Sequence, residues 1–281
     1  MRLKFFFIFG LFGLTNISFL DYNEPKTRQI LSQMFDSIKN VRTLRAHVSS
    51  VERVEKTYHL ATSELKLQTH PRKLYFLNSQ KKLEILYNPE KYSSKAIVKP
   101  HVFPYLTVHL DPTGNLMRKN QHYTINELGY GFIGTSVALT ISKDKDGITK
   151  FTHHGKVRKG SYNCYLLEYE NKNFSYSNYI VKDRETATSI SYKLCVNDYL
   201  LRYKNDLLND FGYLKKGSIL KVPNLYCKKA TLYIDDKLLL PISISLFDEE
   251  GLFENYEFSN LVVNKSINEE EFTKNYSSYG F

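Results

Sequence analysis

The strongest periodic signal near the start of the chain has the period of a helix. From Pro25 onward, apolar residues fall at Ile30, Leu31, Met34, Phe35, Ile38 and Val41, offsets that line one face at 3.6 residues per turn. Glu24 and the polar residues in between form the other face. After Leu44 the period changes to two. Leu65 and Leu67 alternate with Glu64, Lys66 and Gln68, and Leu83, Ile85 and Tyr87 follow in the same way. Thr69-His70-Pro71, Asn78-Ser79-Gln80 and Asn88-Pro89-Glu90 supply turn chemistry between these runs. This spacing predicts an antiparallel meander reaching Leu110, with little strand signal before Glu64.

Thr124-Ile125-Asn126-Glu127 reads as a capping box, and Leu128, Phe132 and Leu139 then predict a second helix ending before Lys143. Strands are expected again at 148–152, 163–169, 230–234, 240–247 and 253–263. In the second-last of these, Ile242, Ile244 and Leu246 alternate with Ser243, Ser245 and Phe247, and Asp248-Glu249-Glu250-Gly251 supplies the hairpin turn. Asn268-Glu269-Glu270-Glu271-Phe272 reads as a solvated tail.

Composition narrows the class. The 281 residues are 42% hydrophobic, with only 13 Gly and 8 Pro, which excludes wholesale disorder. Twenty-two Tyr and 18 Phe without any Trp lean toward a β-rich fold. Met1-Arg2-Leu3-Lys4, apolar Phe5 to Leu14 and polar Thr15-Asn16-Ile17-Ser18 have the layout of a secretory leader, expected over residues 1–20. The apolar core is too short to span a bilayer, which takes about 20 residues. An uncleaved anchor is the alternative. The destination is then the periplasm or another part of the cell envelope.

The formal charge is +10, dispersed over Lys81-Lys82, Lys156-Val157-Arg158-Lys159, Lys215-Lys216 and Lys228-Lys229. A nucleic-acid surface would gather such residues on one face with stacking aromatics, and export argues against that partner. An anionic membrane surface or cell-wall polymer suits the charge better.

Candidate chemistry is sparse. Gly129-Tyr130-Gly131-Phe132-Ile133-Gly134 matches GxGxxG, but a dinucleotide loop needs a strand immediately before it. With a capping box there instead, small residues for close helix packing are the better reading. His153-His154 has no third ligand at usable spacing, and neighbours on a strand face opposite sides. No HExxH, GxSxG or zinc-type Cys/His spacing occurs. A Cys195–Cys227 bridge is possible, and Cys164 suits a buried thiol. No cofactor, metal site or catalytic set is expected, so an enzyme is not expected.

Two resemblances add to this reading. The helix at Pro25–Val41, the segment Leu65-Lys66-Leu67-Gln68-Thr69-His70-Pro71-Arg72-Lys73-Leu74-Tyr75, the run Leu83-Glu84-Ile85-Leu86-Tyr87 and the closing Leu240-Pro241-Ile242 with Tyr256-Glu257-Phe258 together resemble the LolA/LolB-like envelope proteins. Within them, the chain looks nearest to a bacterial domain of unknown function found in Bacteroidota. The resemblance implies an α+β fold, an antiparallel half-barrel sheet wrapped over helices, formed by residues 21–176 and 227–281. It also implies an exported binding protein that shelters a lipid or lipoprotein acyl chain on a concave wall. Leu65, Leu67, Leu74, Phe76, Ile85, Ile242 and Ile244 are the candidates for that wall. A structural protein with a packed barrel and no ligand is the rival, and an envelope hydrolase a more distant one.

The second resemblance is nested in the first. Tyr179, Val181, Lys182 and Thr186, with Glu185 where Asp is usual, and then Leu214, Gly217, Leu220, Val222 and Pro223 look like a LysM module. That implies a βααβ insert at 177–226. Its glycan groove would be formed by Asp183, Arg184, Glu185, Thr186, Asp210, Phe211, Gly212 and Tyr213, with peptidoglycan as partner. Arg184 in place of the turn Gly and Ala187 in place of a core Leu are the departures.

Overall fold

The computed structural model describes residues 25–80 and 82–281; the leader expected at 1–20 lies outside the described residues. Helix α1 (Pro25–Lys39) buries Ile30, Leu31 and Met34, as its stripe requires. It is followed by β1 (Thr43–Val54), β2 (Thr57–Gln68), β3 (Lys73–Asn78), β4 (Leu83–Tyr87), β5 (Ala96–Pro100) and β6 (Val108–Leu110). A short α2 (Asn115–Arg118) and α3 (Gly131–Lys143) lead to β7 (Phe151–Lys159) and β8 (Tyr162–Glu170). Next come β9 (Tyr176–Ile180), α4 (Ala187–Leu194), α5 (Asp198–Tyr203) and β10 (Ile219–Pro223). The chain closes with β11 (Lys229–Asp235), β12 (Pro241–Asp248) and β13 (Gly251–Val263).

Eleven strands form one antiparallel sheet in the order β6-β5-β4-β3-β2-β1-β13-β12-β11-β8-β7. The period-two pattern becomes cross-strand ladders. Ala46, Leu65, Phe76, Ile85 and Val98 stand side by side, as do Leu44, Leu67, Leu74, Tyr87 and Ala96. On the other half of the sheet, Tyr256, Ile244, Leu232 and Leu167 continue the same core. Helices α1 and α3 cover this face, adding Met34, Ile133 and Val137 to the cluster.

The opposite face carries Arg45, Lys66, Tyr75, Leu86 and Ile97 in another ladder. Residues 264–281 lie across it, so the tail expected to be solvated is instead a strap. Phe272 is fully buried, Tyr279 stacks on Tyr75 at 3.7 Å, and Glu271 binds Arg45 and Lys66 at 2.8 Å each. Glu269-Glu270-Glu271 reads as solvent-facing only when its partners on the sheet are unknown.

Three further expectations need correction. The strands before Glu64 belong to two 12-residue strands, β1 and β2, whose outer halves mix polar and apolar residues without a regular alternation. Only half of the capping box forms: the Thr124 amide and hydroxyl both donate to Glu127 Oε2, at 2.8 and 2.9 Å, while the Glu127 amide donates to the Thr124 carbonyl and not to its hydroxyl. The half-box closes a turn, and α3 begins only at Gly131. The expected strand at 148 starts at Phe151, after a 3-10 turn over Gly147–Lys150.

Two of the three glycines of the GxGxxG run serve close packing, while a Cβ on Gly131 would meet open space. A Cβ on Gly129, at φ +101°, would sit 2.5 Å from Leu67 Cδ2, and one on Gly134 would sit 3.3 Å from Ile38 of α1. Cys164, Cys195 and Cys227 are all free thiols, so the 195–227 bridge does not form.

Strands β9 and β10 pair as a separate two-stranded sheet, with α4 and α5 between them in sequence. This βααβ unit has its own core of Val181, Ala187, Ile190, Val196, Leu201, Leu220 and Val222. It docks on the main sheet through Tyr199 and Leu200, which pack with Val54 and Phe253. The hydrogen bond from Asn171 N to Lys228 O at 2.8 Å brings its two connections together.

Candidate functional site

The acyl-wall candidates do share one face, yet that face is closed. Leu65, Leu67, Leu74, Ile85 and Ile244 are between 0% and 5% exposed within the main cluster, and Phe76 packs against it half-buried. Ile242 is buried as well but outside that cluster. The wall is therefore a packed layer beneath α1 and α3, with its side chains interlocked.

Among the described residues, one hydroxyl of the layer is left without a partner. Tyr130, at the N-cap of α3, lies 2% exposed with its ring 4.8 Å from Phe258, and its hydroxyl has no hydrogen-bond partner among the described residues. Burial pushes its phenol pKa up, and Tyr162 and Asp235 add to the shift. The phenol thus stays a neutral donor with nothing to donate to. The hydroxyls of Ser136 and Thr140, further along α3, bond to carbonyls of the same helix.

Beside this layer, a polar network joins the sheet to the βααβ unit. His122 Nδ1 lies 2.7 Å from Glu254 Oε2, and Nε2 lies 3.1 Å from the Arg53 carbonyl. A carboxylate and a carbonyl both accept, so this geometry suits a ring that donates from both nitrogens. Burial alone would lower its pKa. The Glu254 hydrogen bond, the Glu52 and Glu254 charges and the Arg53 carbonyl outweigh that and raise it. The ring is sandwiched by Tyr199 at 4.2 Å and Phe253 at 4.4 Å. Tyr123 donates to Glu254 Oε1, and Asn197 reaches Tyr226 at 3.4 Å. The His122 and Glu254 side chains are sealed from solvent, so the cluster joins two parts of the fold and is closed to substrate.

The glycan candidates are brought together in part. Leu214 N donates to the Glu185 carbonyl at 2.8 Å, so the strand-to-helix turn and the loop before β10 meet. Thr186 caps α4, exchanging bonds with Ser189, and its side chain is committed there. Glu185 accepts from Tyr179, the Lys182 amide and Lys193. Burial opposes its ionisation, but these donors pull its carboxyl down to about 2. Asp183 and Arg184 are exposed, with Arg184 at φ +57°, the left-handed turn position where the resemblance has Gly. Asp210 accepts from the Gly212 amide.

Phe211 is not free to stack on a sugar. The guanidiniums of Arg118 and Arg202 lie 4.4 and 4.7 Å from its ring centroid. Tyr213, 75% exposed, is the aromatic that remains.

An open cleft of about 530 Å³ lies on the opposite face, between the sheet and the C-terminal strap, lined by Tyr75, Leu77, Glu84, His101, Tyr279 and Gly280 among others. No group of three or more His, Cys, Asp or Glu side chains is placed to hold a metal among the described residues. His154 pairs with Glu168 at 2.9 Å. Among the described residues no helix is long and apolar enough to cross a membrane. Sequence reasoning missed Tyr130 and His122 because neither carries a local pattern. The run Val102-Phe103-Pro104-Tyr105-Leu106 was passed over as part of the meander expected to reach Leu110.

Comparison with known proteins follows this geometry. A family profile described as Protein of unknown function (DUF1571) matches residues 41–195, just over half of the chain. No curated protein matches in sequence. Among solved structures, the Pseudomonas aeruginosa MucA/MucB complex aligns at 9% identity and a TM-score of 0.42, covering 88% of this chain and 60% of that longer one. The Mycobacterium tuberculosis lipoprotein LppX aligns at 12% identity and a TM-score of 0.42, covering 88% and 99%. A LolA superfamily protein from Nitrosomonas europaea aligns at 10% identity and a TM-score of 0.32, covering 89% and 98%.

Proposed function

The chain belongs to the DUF1571 family, and from that premise we propose that it is an exported, non-catalytic binding protein of the cell envelope. Its cargo is a lipid or lipoprotein acyl chain, held against the apolar face of the sheet. The observation that carries this reading is the Tyr130 hydroxyl, buried in the core layer without a hydrogen-bond partner while the Tyr169, Tyr226 and Tyr256 hydroxyls of the same layer are bonded. A buried hydroxyl left unpaired costs about 1–3 kcal/mol. The carbonyl or carboxylate oxygen at the head of an acyl chain would satisfy it. The layer is closed as it stands, so entry requires α3 to move off the sheet. Because Ser136 and Thr140 bond within the helix, its body gives up mainly apolar contact, while the C-cap Asp144 stays tied to Tyr169 and Asn171 as the hinge.

Titration with cis-parinaric acid, a fluorescent polyene fatty acid, tests the reading. Saturable binding of about one probe per chain is expected, weakened several-fold in Tyr130→Phe, since one hydrogen bond to a ligand is worth about 0.5–1.5 kcal/mol. Absence of saturable binding would overturn it. The second reading, a structural envelope protein with a solid core, would then stand. It is favoured by the complete burial of Leu44, Leu74 and Ile133.

The βααβ unit is proposed to hold the protein near peptidoglycan through Tyr213 and the exposed backbone of the joined turns. Retention on insoluble peptidoglycan should persist at high salt and drop in Tyr213→Ala. Retention that collapses with salt would mean charge alone.

A further inference from the structure

Residues 101–107 connect β5 to β6, the strand at one edge of the main sheet. In this loop Val102, Phe103, Tyr105 and Leu106 all face solvent, Phe103 with 85% of its surface exposed and Leu106 with 62%. Val108, at the start of β6, continues the run. Single exposed apolar side chains are ordinary, but a contiguous run of this length on a soluble surface calls for a partner. The backbone behind it is held in place. Tyr105 N donates to the Val102 carbonyl, and Lys99 Nζ to the Tyr105 carbonyl, each at 2.8 Å. The apolar side chains are therefore presented by a turn with defined internal bonds.

Charge indicates what the loop meets. Lys99 stands beside the loop, and Lys82 lies at its start, where the Lys82 carbonyl accepts from His101 N at 2.7 Å. The acid on this side, Glu84, is buried and paired with His101 at 2.9 Å. Lys95 lies at the far end of β5 beside Asp111 and Arg118 is engaged by Asp198, so Lys82 and Lys99 set the field at the loop. Phe and Leu at a convex tip, Tyr beside them and lysines around the base match a bilayer in layers. Acyl chains take the tip, the interface takes the phenol, and lipid phosphates take the ammonium groups. We infer that the β5–β6 loop is an insertion tip that seats the protein on an anionic lipid surface. This goes beyond the acyl-cargo reading and does not depend on it.

The chain has no tryptophan, so Phe103→Trp provides a single reporter. Leu238→Trp provides the control, in the β11–β12 turn and six strands from β5 across the sheet. With phosphatidylglycerol vesicles, emission from the reporter at 103 should shift to the blue and be quenched by brominated acyl chains, while the reporter at 238 stays unchanged. Binding to phosphatidylcholine vesicles should be roughly tenfold weaker or more, as should binding of Phe103→Ser/Leu106→Ser to the anionic vesicles. If Phe103→Trp does not fold, Leu106→Trp carries the same measurement. Vesicle binding without quenching at 103, or equal quenching at both sites, would overturn the inference. So would a blue shift that follows protein concentration in the absence of vesicles, which would mark the loop as a self-association surface. A chain that binds no cis-parinaric acid can still pass this test, so the two claims fail separately.

Discussion

His122 and Tyr130 are both buried and both polar, and their surroundings treat them in opposite ways. His122 has an acceptor at each ring nitrogen, and Glu254, Glu52 and the Arg53 carbonyl hold its proton against burial. A histidine whose pKa is raised on folding adds stability that is complete below its ordinary value of 6.5 and is lost as pH rises through the raised one. The denaturation midpoint of the wild type should therefore fall relative to that of His122→Gln as pH is raised from about 6 to about 9. Parallel pH profiles for the two proteins would show that the imidazole is neutral in the fold. Tyr130 has no partner, so Tyr130→Phe removes a cost: the ligand-free protein should become more stable by about 1 kcal/mol, or at least lose nothing. A loss of more than about 1 kcal/mol would mean that the hydroxyl is paired. Neither residue was legible beforehand. The partner of His122 lies 132 positions away in sequence, and the significance of Tyr130 is a missing contact.

At the scale of elements, legibility followed burial on one face. Where a strand has one face in the core, as β2 has from Ser63 to Gln68, alternation gives its register directly. Where both faces are wet, as at Ser49, Ser50 and Thr57 to Leu60, strand geometry is imposed by neighbouring strands and leaves no periodic trace. The C-terminal strap failed for a related reason, because its acids look solvated until Arg45 and Lys66 are known to lie beneath them. Glu271 is the test of the strap. Burial opposes its ionisation, but Arg45 and Lys66 pull its carboxyl down to about 2. Depression of a carboxylate contributes stability that is present above its ordinary value of 4.5 and lost as pH falls toward the lowered one. Arg45 is itself about a third exposed, so solvent screens part of this effect, and Glu271→Gln should cost about 1–2 kcal/mol. Amide protection factors in residues 264–281, taken against intrinsic exchange at the same pH, should fall in that variant at pH 7 and in the wild type as pH approaches about 2. Unchanged protection in the variant would mean that Tyr279 and Phe272 hold the strap without the ion pairs.

At the scale of the molecule, the two halves of the sheet join where β1 meets β13, with Leu44 beside Val263, two segments from opposite ends of the chain. Local pattern could supply the strands but not this closure, which depends on contacts more than 200 residues apart. The closure is also what makes the apolar layer continuous from β5 to β8, the layer against which the proposed acyl cargo would lie. The same layer, fully packed, would serve a protein that binds nothing. Native mass spectrometry of the purified chain, with organic extraction of the same sample, separates these outcomes most directly. The account predicts a bound species of acyl-lipid mass at about one per chain, released together with increased amide exchange in residues 131–143. A chain that appears only at its bare mass under gentle conditions, takes up no added fatty acid and keeps α3 protected to the level of global unfolding would contradict it.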